Sequence, residues 1–159
     1  MKIAFVASTD NLLSKLIKWF TKSQWTHVML ILDDTVDGDS VIVEASALHG
    51  LALNLLSKYA RRKLEIFQDK QDIWDINSIK VYIGNNYGYL QLLGIGLAKI
   101  FKLNKNPFSS NKICSELVLE WLLQTNYVNE FQYLDPNLVS PEDLYNIISK
   151  SSNFKLIKG

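Results

Sequence analysis

Two short apolar runs, His27-Val28-Met29-Leu30-Ile31-Leu32 and Val41-Ile42-Val43-Glu44-Ala45, are separated only by the turn-rich stretch Asp33-Asp34-Thr35-Val36-Asp37-Gly38-Asp39-Ser40. Both runs are apolar at alternating and intervening positions alike, the pattern of strands buried on both faces. Joined by so polar a connection, they predict a hairpin of central β-strands.

Two polar residues break this apolar pattern, and the hairpin brings them together. Opposed residues in an antiparallel pair share a constant index sum, so a turn centred near Val36 sets His27 and Glu44 almost directly opposite, within about one residue. An unpartnered imidazole or carboxylate would be costly in such strands, and each supplies the other's partner.

Around the hairpin, Met1 to Ala7 reads as a strand, and Asp10 caps a helix carrying Leu12, Leu13, Leu16, Ile17 and Phe20 to its end near Ser23-Gln24. Gly50 to Leu53 and Lys63 to Phe67 extend the sheet. Asp72 to Asn86, with Ile73, Ile76, Ile79 and Ile83 along one face, and Tyr87 to Lys102 read as helices, the second broken by Asn104-Lys105-Asn106-Pro107. A further helix over Asn111 to Gln124 buries Ile113, Leu117, Val118, Trp121 and Leu122, with Ser110 or Asn111 as its cap. Ser140-Pro141-Glu142-Asp143 starts a last helix, with Leu144, Ile147 and Ile148 inward. With 48% hydrophobic and 21% charged residues over 159 positions, the chain is expected to fold as a single α+β domain, residues 1–159.

Charge and motif content exclude several roles. Seventeen basic against sixteen acidic side chains leave a net charge of +1, no field to draw nucleic acid. Arg61-Arg62-Lys63 reads as a solvated loop edge, and Gly94-Ile95-Gly96 lacks the rest of a dinucleotide fingerprint. The opening apolar run is too short for a secretory signal, and Leu90 to Ala98 is too short and too rich in glycine to span a bilayer. A protein that is cytoplasmic when synthesised, with no transmembrane segment, is expected.

The single cysteine, Cys114, excludes an intramolecular disulfide, and with only His27 and His49 beside it a structural zinc site is not expected. Cys114 falls in the first turn of its helix, where unpaired amides and the positive end of the macrodipole favour a thiolate. A thiol nucleophile needs a base and a group that orients the base, and His27 and Glu44 meet that requirement. The residues alone leave the bland alternatives open: a buried cysteine acting as a small apolar side chain, a structural histidine, a surface glutamate on an edge strand. His49, before Gly50, is the competing base.

The segments Trp25-Thr26-His27-Val28, Val41-Ile42-Val43-Glu44-Ala45, Gly50-Leu51-Ala52-Leu53, Ile113-Cys114-Ser115-Glu116-Leu117-Val118 and Leu138-Val139-Ser140-Pro141-Glu142-Asp143-Leu144 together resemble the circularly permuted papain-like cysteine hydrolases of the NlpC superfamily, in the YiiX-type branch and related to lecithin:retinol acyltransferase-like proteins. The resemblance spans most of the chain and implies a permuted papain-like fold, with a small antiparallel sheet bearing His27 and Glu44 packed on the Cys114 helix and the site between those layers. It implies a catalytic Cys114, His27 and Glu44, in the order His, Glu, Cys. The Tyr-Asp common in that group is absent, since this chain reads Asn86-Tyr87-Gly88-Tyr89. Tyr87 is a candidate donor to an oxyanion with the Cys114 amide, Ser115 is a second candidate for substrate binding, and Glu116 is expected to border the groove.

The expected activity is that of a cysteine hydrolase passing through an acyl thioester, on cell-wall peptides or other peptide, amide or acyl substrates, with no metal or organic cofactor required. The alternatives are a lipid acyltransferase or thioesterase, which the resemblance admits in related branches, and a binding or scaffold protein of the same fold with a silent site, exposing Leu90 to Phe101 to a partner or membrane.

Overall fold

The hairpin foreseen from the apolar runs lies at the heart of a six-stranded sheet in which neighbouring strands are all antiparallel. The computed structural model describes residues 2–7, 23–34, 36–46, 50–71, 113–124 and 127–159, with 15, 18, 19, 95 and 105 as single positions. The strands are β1 (Lys2–Ala7), β2 (His27–Ile31), β3 (Val41–Ser46), β4 (Gly50–Leu55), β5 (Lys63–Asp69) and β6 (Phe154–Lys158), in the spatial order β4-β3-β2-β1-β5-β6. Gly50 takes φ 65° at the start of β4, a left-handed value that favours glycine.

Apolar side chains fill both faces of the central strands because both faces are covered. On one face Ile3, Phe5, Val28, Leu30, Val43, Ala45 and Phe67 join the larger core with helix α1 (Cys114–Leu123) and helix α3 (Pro141–Ile148). On the other, Ala4, Val6, Met29, Ile31, Ile42 and Ile66 meet Leu56, the buried residue of a short 3-10 turn, Leu56–Tyr59. A short helix, α2 (Val128–Phe131), sits between α1 and α3 in sequence.

The hairpin register differs from the one expected. Leu30 pairs with Val43 and Ile31 with Ile42, two residues on from the register that would set His27 directly opposite Glu44. The reversal is centred later than Val36 because Asp37 organises it: the Asp39 amide donates to Asp37 Oδ1 at 2.9 Å and Ser40 Oγ accepts from the Asp37 amide at 2.9 Å. The resulting offset of two residues is even, so His27 and Glu44 remain on one face as diagonal neighbours.

Local start signals explain α3 but not α1. Ser140 caps α3 in a reciprocal capping box with Asp143, and Pro141 takes the first helical position. Helix α1 begins later than expected: Ile113, in extended backbone and with no side-chain cap, is the N-cap in place of Ser110 or Asn111. Cys114 is therefore the first residue of the helix. Strand β6 and the 3-10 turn were not foreseen; in β6 only Phe154 is buried, and Lys155 and Lys158 lie on the exposed edge strand. Lys15, Lys18 and Trp19 are helical, as is Ile95, which packs in the larger core. The rest of the helices expected after Asp10 and over 72–102, with Tyr87 and His49, lie outside the described residues.

Candidate active site

The two polar residues of the hairpin meet at one end of the sheet. His27 opens β2 opposite Val6, and its Nε2 lies 2.7 Å from Glu44 Oε2. Glu44 is wholly buried and the imidazole is 15% exposed. Strand alternation places both side chains on the face of the smaller core, with Val6, Met29 and Ile42. Cys114 belongs to the larger core, at the N-terminus of α1. The imidazole also interacts with the Cys114 thiol, through charge and a hydrogen bond. With Nε2 committed to Glu44, Nδ1 is the ring atom open to sulfur. His27 thus links a carboxylate on the smaller-core face to a thiol of the larger core.

Burial is the largest single influence on all three groups, and their mutual charges and hydrogen bonds together outweigh it. Burial works against a charged imidazole, yet the charge of Cys114 and its hydrogen bond, followed by the hydrogen bond and charge of Glu44, hold His27 up at about 10. Burial likewise works against a thiolate, but the His27 charge and hydrogen bond, with backbone hydrogen bonds from Val28 and Ser115, bring Cys114 below its ordinary 9.0. Glu44 falls to about 2, since its burial is outweighed by the His27 hydrogen bond and charge and by hydrogen bonds from Lys58 and Tyr59. The opposite shifts of His27 and Cys114 run in the directions that favour an imidazolium beside a thiolate, with the Glu44 carboxylate on the other ring nitrogen.

Three further residues surround Glu44. Asn54 Nδ2 donates to Oε1 at 2.8 Å and Lys58 Nζ donates to Oε1 at 2.5 Å. The Tyr59 hydroxyl donates to Oε2, the oxygen that His27 also uses, and the Tyr59 ring lies 5.8 Å from the imidazole at 32°. Asn54 comes from the end of β4, which pairs with β3 through Asn54↔Ile42, and the other two come from the 3-10 turn. The sequence reading missed all three. A signal was present in Glu44 itself: a buried carboxylate accepts about four hydrogen bonds, and one imidazole supplies only one donor.

The lesser candidates fare differently. The Ser115 hydroxyl donates to the Val139 carbonyl at 2.8 Å and is buried there, so Ser115 offers the site its backbone amide and not its side chain. Glu116 is buried, not bordering a groove. Lys63, from the basic cluster, lies 3.7 Å from Glu65 and over the Trp25 ring, and Arg61 is exposed, as a solvated edge requires. Among the described residues no helix is long and apolar enough to cross a membrane.

No family model matches the chain, and no curated protein matches it. Among solved structures it is similar to the crystal structure of YiiX from Escherichia coli O157:H7, described as a metalloprotein, with 15% sequence identity, a TM-score of 0.50, and coverage of 99% of this chain and 94% of that one. At that identity the likeness establishes architecture: the chain has an α+β fold of the YiiX kind, built on a six-stranded antiparallel sheet.

Proposed function

We propose that the protein is a cysteine hydrolase on a circularly permuted papain-like fold of the NlpC superfamily, acting on peptide, amide or acyl carbonyls. The observation that carries this reading is the hydrogen-bonded row Cys114, His27, Glu44, with the sulfur at a helix N-terminus and the ion-pair form favoured.

In the proposed reaction the Cys114 thiolate attacks the substrate carbonyl carbon, and the carbonyl π pair moves to oxygen. The Cys114 amide, at the first position of α1 where amides lack intrahelical acceptors, is the donor open to that oxyanion. Collapse expels the amine or alcohol, which takes the proton of the His27 imidazolium and leaves an acyl thioester. Neutral His27 then accepts a proton from water as the water oxygen attacks the thioester, and the acid product departs with thiolate and imidazolium restored. An acceptor alcohol or amine in place of water gives acyl transfer by the same steps.

YiiX is described as a metalloprotein. The residues here do not fit a metal ion at this site. His27 Nε2 faces Glu44, both Glu44 oxygens already meet donors, and one of those donors is the Lys58 ammonium, a cation where a metal would have to sit. Among the described residues no group of three His, Cys, Asp or Glu side chains converges elsewhere.

An acyl-electrophile probe tests the proposal. Cys114→Ala and Cys114→Ser are expected to abolish covalent labelling with the circular dichroism spectrum retained. Undiminished labelling of Cys114→Ala overturns it, and full activity in His27→Ala transfers the base to His49.

A further inference from the structure

We propose that Lys58 and Tyr59 are positioning residues that fix the Glu44 carboxylate toward His27, so that the working unit is a cluster anchored on the 3-10 turn and not a free-standing triad. This inference rests on the reading of Cys114, His27 and Glu44 as the reactive array.

The first support is geometric. A glutamate carboxylate turns about its last bond with little preference between orientations, so one hydrogen bond to His27 would leave its direction loose. Here Asn54 and Lys58 hold Oε1 while Tyr59 joins His27 on Oε2, so each oxygen has its own set of partners. The Tyr59 ring also lies beside the imidazole, restricting the ring that must face both sulfur and carboxylate.

A second support is that the turn holds its place through contacts of its own. The Leu56 amide donates to the Ser40 carbonyl and the Ser57 amide to the Gly38 carbonyl, each at 2.8 Å, and Leu56 is buried in the smaller core. The turn is thus pinned to the β2–β3 connection, and Lys58 and Tyr59 impose a direction on Glu44 from a backbone that Glu44 does not itself hold. Lys58 Nζ also lies 5.5 Å from the Tyr59 ring centroid, tying the two side chains together.

Competition is the rival account: a second donor on Oε2 would weaken the bond from His27. An NMR titration of the imidazole nitrogens separates the two, using a His49→Gln background so that His27 is the one histidine present. The charged and titratable groups facing His27 are Cys114 from α1, Glu44 from β3 and Tyr59 from the turn, and those facing Glu44 are His27, Lys58 and Tyr59.

If Lys58 and Tyr59 position Glu44, the His27 inflection falls from about 10 toward its ordinary 6.5 in Lys58→Met/Tyr59→Phe. Alkylation of Cys114 at neutral pH should slow roughly tenfold, the loss of about one charge-assisted hydrogen bond. In a Glu44→Ala background the same two substitutions should add nothing. A raised inflection, an unchanged one, or a full further loss in the Glu44→Ala background each overturns the assignment. Tyr59→Phe alone keeps the ring and serves as the folded control, expected to lower the inflection by less than the pair. A wild-type His27 that titrates near 6.5 instead refutes the proposed function itself.

Discussion

At the scale of residues, chemistry at this site was legible wherever a polar group was expensive to bury. His27 and Glu44 interrupt runs that are otherwise wholly apolar, and each needed a partner that the hairpin could supply. Cys114 was legible from its place at a helix start. Asn54, Lys58 and Tyr59 were not, because nothing in Asn54-Leu55-Leu56-Ser57-Lys58-Tyr59 distinguishes a turn over a buried carboxylate from any exposed connection. The proposed ion pair makes a direct prediction: Cys114 alkylation in the wild type should show an inflection below 9.0, and in His27→Ala that inflection should return toward the ordinary thiol range. Glu44→Gln offers a second test. All the partners of this buried carboxylate donate, so a side-chain NH2 group must face another donor, and the variant should lose about 2 kcal/mol of stability in urea unfolding.

Among the elements, those with strong local signals formed as expected. The five strands from β1 to β5 follow from apolar runs, and α3 follows from Ser140-Pro141-Glu142-Asp143, whose capping box is complete. Ser140→Ala removes the acceptor for the Asp143 amide and should cost about 1 kcal/mol of stability, measured by urea unfolding. Two element features were set by partners beyond the local sequence. The hairpin register depended on where Asp37 closes the turn, and Asp37 is only one of the four aspartates among Asp33, Asp34, Asp37 and Asp39. Strand β6 exists because β5 has an open edge, since Phe154-Lys155-Leu156-Ile157-Lys158 has little apolar surface to bury on its own account.

For the whole molecule, the protons of the site tie stability to pH. The folded His27 value lies above its ordinary 6.5, so its contribution is complete below pH 6.5 and is lost as pH rises through about 10. Cys114 is held below its ordinary 9.0, so its contribution is complete above pH 9.0 and is lost as pH falls through its lowered value. Between pH 6.5 and 9.0 the two slopes oppose each other, because one group is held above its ordinary value and the other below. The stability difference between wild type and Cys114→Ala/His27→Ala should therefore vary less across that window than on either side, read from urea midpoints over a pH series. Glu44, held near 2 against an ordinary 4.5, adds a loss at the acid end as pH falls through about 2. The sequence by itself determined that central strands would carry an imidazole and a carboxylate on one face, and that a lone thiol would begin a helix, because burial cost and capping are local properties. Only the tertiary structure decided that these groups meet, that the register is offset by two residues, and that a 3-10 turn completes the shell of Glu44, because those depend on which backbone ends converge in space.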